Sequence, residues 1–156
     1  MGKTKGIKVI VIISVVILFT YFTFYPLFYQ INFSHVGIGA DHTYEAVVRN
    51  LGKPKSMQQD KDGDWIACYD GLKIVFGKEK NSILKRVSIT GNQYKFGIWR
   101  VGVGTPRSKI ESIYRYIPKA KDVSQNEFTV IDSGTWIWFK FDKDDRVYQI
   151  DLTAGI

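Results

Sequence analysis

The longest apolar stretch of the chain comes first. From Val9 to Ser34 there is no charged residue, and Val9 to Phe19 is almost wholly aliphatic. About 20 apolar residues suffice to cross a hydrocarbon core of roughly 30 Å, so a transmembrane helix is predicted over 7–29, with 1–6 before it and a linker over 30–35. Tyr21, Phe22, Phe24, Tyr25, Phe28 and Tyr29 cluster at its far end, where amphipathic rings favour the headgroup region. Pro26 lies within that cluster and bends or ends a helix. Lys3, Lys5 and Lys8, with no acidic residue among them, favour a cytoplasmic N-terminus and an extracytoplasmic remainder. A cleaved signal peptide is the rival, but no small-x-small site follows the apolar core promptly.

After the linker the pattern repeats. Val36-Gly37-Ile38-Gly39 opens one copy and Val101-Gly102-Val103-Gly104 opens the other. In the first copy Tyr44, Val47, Val48 and Leu51 fall at i, i+3, i+4 and i+7, one face of a helix. Asp41 is its expected N-cap, Gly52 its C-cap, and Pro54 blocks continuation. In the second copy Ile110, Ile113, Tyr114 and Ile117 keep the same spacing, with Thr105-Pro106 as cap and first position and Pro118 as stop. Strand signals follow each helix. Trp65 to Tyr69, the turn Asp70-Gly71, then Leu72 to Phe76 reads as a hairpin, since Asp-Gly tolerates the positive φ of tight turns. The second copy offers Glu127 to Ile131, the turn Asp132-Ser133-Gly134, and Thr135 to Phe141. A third strand closes each copy, Lys85 to Thr90 and Arg146 to Leu152. The predicted class is therefore α+β: a transmembrane helix, then two tandem α-β-β-β units over 36–91 and 92–156. One unit can hardly bury its own apolar face, so the two are expected to form one antiparallel sheet with both helices on one face.

Composition narrows the function. With 45% hydrophobic and 24% charged residues the chain is of a folding, not a disordered, type. The net charge of +7 is mild once located: without Lys3, Lys5 and Lys8 the 22 basic residues become 19, against 15 acidic. No basic run or Arg-rich helix exists, which disfavours a nucleic-acid partner. The single cysteine, Cys68, excludes an internal disulfide framework and sits in an apolar run as a small hydrophobe.

The run VGIG…TYEAVVRNLGKP, with the Trp65-x-x-x-Tyr69 strand, the strand Leu72-Lys73-Ile74-Val75-Phe76 and the Val87-x-Ile89 strand, resembles the superfamily of β-lactamase inhibitor proteins and the SmpA/OmlA (BamE-type) envelope proteins. His42-Thr43-Tyr44-Glu45-Ala46-Val47 is similar to the start of their helix, and Leu51-Gly52-Lys53-Pro54 to its end. The resemblance spans roughly 36 to 152. It implies a helix-plus-antiparallel-sheet fold and a non-catalytic binding role in the cell envelope. SmpA/OmlA members are lipid-anchored through a cysteine that this chain lacks.

Alternation sorts the candidate residues. Ile137, Phe139 and Phe141 point one way, matching Leu72, Ile74 and Phe76; Trp136, Trp138 and Lys140 point the other. The first set should form the core beneath the helices, leaving Trp136, Trp138 and Lys140 on an open sheet face. Trp65 and Tyr69 share one face, and either is possible. Exposed aromatic clusters mark recognition surfaces, although such rings also serve as ordinary cross-strand pairs. The expected function is a binding module for a protein or cell-envelope ligand, with the lipid bilayer as a further partner through 7–29. The alternatives are inhibition of an envelope hydrolase, for which the loop Gly77 to Ser82 is the candidate, and a small carboxylate-dependent enzyme, which requires acids converging in a pocket. Neither a cofactor nor a metal is expected. Asp60-Lys61-Asp62-Gly63-Asp64 lacks the Gly and Glu positions of a calcium loop, and His35 and His42 lack a third ligand at suitable spacing.

Overall fold

The computed structural model describes residues 10–20, 31, 33–38, 42–79, 82–115, 117, 121–132 and 134–154. Helix α1 covers 10–20, and a 3-10 turn covers Phe33–Val36. Then follow α2 (Tyr44–Leu51), β1 (Ser56–Gln59), β2 (Trp65–Tyr69), β3 (Leu72–Phe76), β4 (Leu84–Ile89), β5 (Lys95–Phe96), β6 (Val101–Gly102), α3 (Arg107–Tyr114), β7 (Lys121–Ser124), β8 (Glu127–Asp132), β9 (Thr135–Phe141) and β10 (Val147–Ala154).

The expected transmembrane helix over 7–29 is corrected. Among the described residues no helix is long and apolar enough to cross a membrane. Residues 7–9 and 21–29 lie outside the described set. With the helix go the single-pass and signal-anchor expectations. The α-β-β-β unit is corrected as well, because among the described residues each copy contributes four strands to the large sheet, and the second copy also holds the short β5–β6 pair. β1 and β7 carry no apolar alternation, so sequence periodicity did not reveal them; all four β1 residues are exposed.

Eight strands form one sheet in the order β1-β2-β3-β4-β10-β9-β8-β7, and every pairing is antiparallel. Each copy is thus a four-stranded meander, and the two meet where β4 pairs with β10: Val87 opposite Leu152, Ile89 opposite Ile150. Register fixes the faces. Ile74 lies across from Ala67 and Val87, and Phe139 across from Phe128 and Ile150. These residues belong to a single buried cluster that also takes Val47 from α2 and Ile110 and Tyr114 from α3. Tyr44 meets Phe76 edge-on at 5.5 Å, and Tyr114 lies 5.4 Å from Phe139. Both helices therefore cover the same sheet face. Fully burying one such aliphatic or aromatic side chain contributes about 1.5–3 kcal/mol.

The helix ends differ from expectation. Thr43 caps α2, its Oγ1 accepting the Ala46 N–H at 3.3 Å; Asp41 lies outside the described residues. Pro106, not Thr105, occupies the N-cap position of α3, and the Thr105 hydroxyl accepts from the Gly102 N–H at 3.0 Å instead. The two Val-Gly-x-Gly runs also diverge. Val36 ends a 3-10 turn with Gly37 at φ +80°, whereas Val101–Gly102 is a short strand paired with β5, and the positive φ falls at Gly104.

Candidate functional site

The open face is assembled by antiparallel register. Trp138 on β9 stands across from Asp151 on β10 and Thr129 on β8, and Asp151 in turn stands across from Ser88 on β4. Two residues along β9, on the same face, Trp136 stands across from Thr153 and Ile131; in the other direction Lys140 stands across from Gln149 and Glu127. Trp136 and Trp138 stack with ring centroids 5.7 Å apart and planes 23° from parallel. Trp136 is exposed and Trp138 half-buried. An offset stack of this kind is a favoured aromatic geometry, and it presents a rigid, largely apolar surface on a sheet face that neither helix covers.

Beside the stack lies an ionic network centred on a buried aspartate. The Lys140 ammonium sits 2.6 Å from an Asp151 carboxylate oxygen, and the Gln149 side-chain amide donates to both Asp151 oxygens at 2.8 and 3.0 Å. Asp151 is only 5% exposed. Burial pushes its carboxyl up, but hydrogen bonds from Lys140, Ser88 and Gln149, with the Lys140 charge, outweigh burial and hold it below the ordinary carboxylate value. Thr129, 1% exposed, leaves its hydroxyl without a hydrogen-bond partner. The network anchors the strand on which both tryptophans ride.

Of the five candidate residues, the fold brings together Trp136, Trp138 and Lys140. It separates the other two. Trp65 is paired with Phe76 and Tyr69 with Leu72, so both lie on the helix-covered side, packed against the core. Tyr69 has a structural task there: its hydroxyl donates to the carbonyl of Gly52, the α2 C-cap, at 3.1 Å. Burial raises its pKa, with a smaller contribution from neighbouring Tyr44. Sequence reasoning missed Asp151, Gln149 and Ser88, although the register of the β9–β10 hairpin would have placed Asp151 beside Trp138.

Acids do gather in one pocket of about 340 Å³, lined by Pro106, Arg107, Ser108, Glu111, Asp144, Asp145 and Arg146. They arrange around Arg107, whose Nε donates to Glu111 at 2.7 Å and whose guanidinium lies 4.9 Å over the Phe141 ring. Two of the acids are thus paired at the start of the helix, Glu111 closely and Asp145 at 4.0 Å from the Arg107 guanidinium. The acidic run Asp60 to Asp64 is a turn of the kind its sequence suggests: one Asp60 oxygen accepts the N–H groups of Asp62 and Asp64, both at 2.9 Å. His42 packs edge-on against Phe33 at 4.9 Å, and among the described residues no three metal-ligating side chains converge.

No protein-family model and no curated protein matches the chain. Solved structures share its fold. An extracellular protein containing an SCP domain from Bacillus anthracis is 12% identical with a TM-score of 0.58, over 80% of this chain and 48% of that one. A cysteine-rich secretory protein from Staphylococcus aureus is 12% identical with a TM-score of 0.53, over 76% and 45%. This chain spans about half the length of each, and at such identity the likeness bears on the fold alone.

Proposed function

We propose that this protein is an extracytoplasmic, non-catalytic binding module that docks a protein or cell-envelope ligand on the open sheet face. The observation that carries the reading is the stacked Trp136–Trp138 pair, left outside the core and braced by the Lys140–Asp151–Gln149 network. Tryptophan is over-represented among residues that dominate binding energy, because its area is large and its conformational entropy small. A pair already held in place has little further ordering to undergo when a ligand arrives. The extracytoplasmic setting draws support from the two fold neighbours, one an extracellular protein and the other a secretory one.

The test is a comparison of two proteins. Purified chain is immobilised and exposed to solubilised cell envelope, beside a Trp136→Ala/Trp138→Ala variant whose circular dichroism matches the parent. The variant should recover at least about tenfold less of any partner the parent retains, as expected when a binding hot spot is removed. Equal recovery by a folded double variant ends the proposal.

A further inference from the structure

The β5–β6 hairpin carries two large apolar side chains into solvent. Its base is fixed. Phe96 and Val101 are paired across it, and both are buried in the apolar cluster. On the incoming side, the Gln93 and Tyr94 side chains donate to the Asp70 carbonyl at 2.8 and 3.3 Å. On the outgoing side, the Gly104 N–H donates to the Val147 carbonyl at 2.7 Å. The connection is Gly97-Ile98-Trp99-Arg100, closed by the Arg100 N–H on the Gly97 carbonyl at 3.1 Å. Gly97 and Arg100 both have positive φ, +59° and +50°, a conformation uncommon for arginine. Between them Ile98 and Trp99 are 48% and 46% exposed. Their adjacent apolar area contributes nothing to the core, and its display on a firmly held tip points to a partner.

The charge around this tip has one sign. Between Glu79 and Glu111 the sequence holds seven basic residues and no acidic one. Arg100 is exposed in the turn, and Lys109 is exposed on α3. Lys95, on β5, places its ammonium on the Val103 carbonyl at 2.6 Å. Burial lowers the Lys95 pKa, and the Arg100 and Lys109 charges lower it further. Asp70, the acid at the approach to the hairpin, is already paired with Lys55 at 3.1 Å. An approaching anion therefore relieves the repulsion that Arg100 and Lys109 exert on Lys95. Tryptophan beside an aliphatic residue, bordered by Lys and Arg, is a composition that seats peripheral proteins at anionic membrane surfaces. A two-residue tip offers a protein partner far less area than a stable interface buries. A bilayer requires only shallow entry of the tip, and each cation near its surface adds attraction. We propose that the β5–β6 tip docks on an anionic lipid bilayer, Ile98 and Trp99 entering the headgroup region and Lys95, Arg100 and Lys109 facing the lipid phosphates. This contact is peripheral and needs no spanning helix.

Fluorescence quenching tests this with the full chain and vesicles whose lipids carry bromine on the upper acyl chain. The Trp99 signal is read as the difference between the parent and Trp99→Phe. With equal parts of phosphatidylcholine and phosphatidylglycerol, Trp99 should be quenched at a lipid concentration at least about tenfold lower than with phosphatidylcholine alone. Arg100→Asn, which keeps a residue tolerant of positive φ, and Lys109→Gln should each raise that concentration about fivefold. Ile98→Asp, at an exposed position, should remove the quench while its circular dichroism stays that of the parent. Trp136→Ala/Trp138→Ala should leave the Trp99 quench unchanged, so the tip and the open face are tested separately. Sedimentation of the chain with vesicles while Trp99 stays unquenched overturns the proposal, since the chain is then held elsewhere. Equal quenching with and without phosphatidylglycerol overturns it as well. If Trp99 stays unquenched and Ile98→Asp instead loses an envelope protein that the parent recovers, the tip docks a protein and the proposal fails.

Discussion

Asp60 and Asp142 build the same turn from different surroundings. Asp142 accepts the N–H groups of Asp144 and Arg146, each at 2.9 Å, as Asp60 does those of Asp62 and Asp64. The residue at the positive-φ position is Gly63 in one turn and Asp145 in the other. Aspartate is among the few side chains that tolerate this conformation. The acidic character of both loops thus serves to satisfy backbone donors. Asp151 uses its charge differently. Its folded-state pKa lies below the ordinary value, so its contribution to stability is present above the unfolded-state value, near pH 4, and fades as pH falls through the lower folded value. Asp151→Asn should therefore be less stable than the parent at pH 6, and the difference should narrow below about pH 4. Urea midpoints across that range check it; a constant difference would remove Asp151 from the acid response. None of this was legible from Asp151 in isolation, because its neighbours Lys140 and Ser88 arrive through strand pairing.

At the scale of elements, legibility followed apolar alternation. The limits read for β2, β3 and β9 coincide with those observed, because Trp65–Tyr69, Leu72–Phe76 and Thr135–Phe141 each place apolar residues at every second position facing the helices. The edge strand β1 has the sequence Ser-Met-Gln-Gln and faces water throughout, so nothing in its pattern distinguishes it from a loop. Trp65 was ambiguous for a related reason: alternation gives two faces but not which of them is covered. A polar edge also guards against further strand addition. Energetic weight should follow burial. Ile150→Ala, at a fully buried position between Ile89 and Phe139, should cost about 2–4 kcal/mol, whereas Gln58→Ala on exposed β1 should stay within about 0.5 kcal/mol. Chemical denaturation of the two variants measures both, and comparable losses would contradict the assignment of β1 as a lightly held edge.

The whole molecule has one sheet and one apolar cluster drawn from both copies. Neither meander owns a core of its own, so the two should unfold together. Tryptophan fluorescence, which includes Trp136 and Trp138 in the second copy, and amide exchange in β2 and β3 of the first should report the same transition. Two separated transitions would show that the copies are independent. The repeat read from sequence rests on a lone unit having nowhere to bury its apolar face. It could not anticipate that the two Val-Gly-x-Gly runs adopt different backbones, because glycine admits both.

The β4–β10 seam joins the last strand of one copy to the last strand of the other, antiparallel. Two separate chains meeting in that way would form an isologous homodimer, bound by two-fold symmetry to present identical halves. Joining the halves in one polypeptide keeps the interface and releases the symmetry. Where the first copy has Lys73 and Val75, the second has Trp138 and Lys140. A fused pair can thus specialise one half of its surface for a ligand while the other serves as scaffold, a division of labour that two identical subunits cannot make.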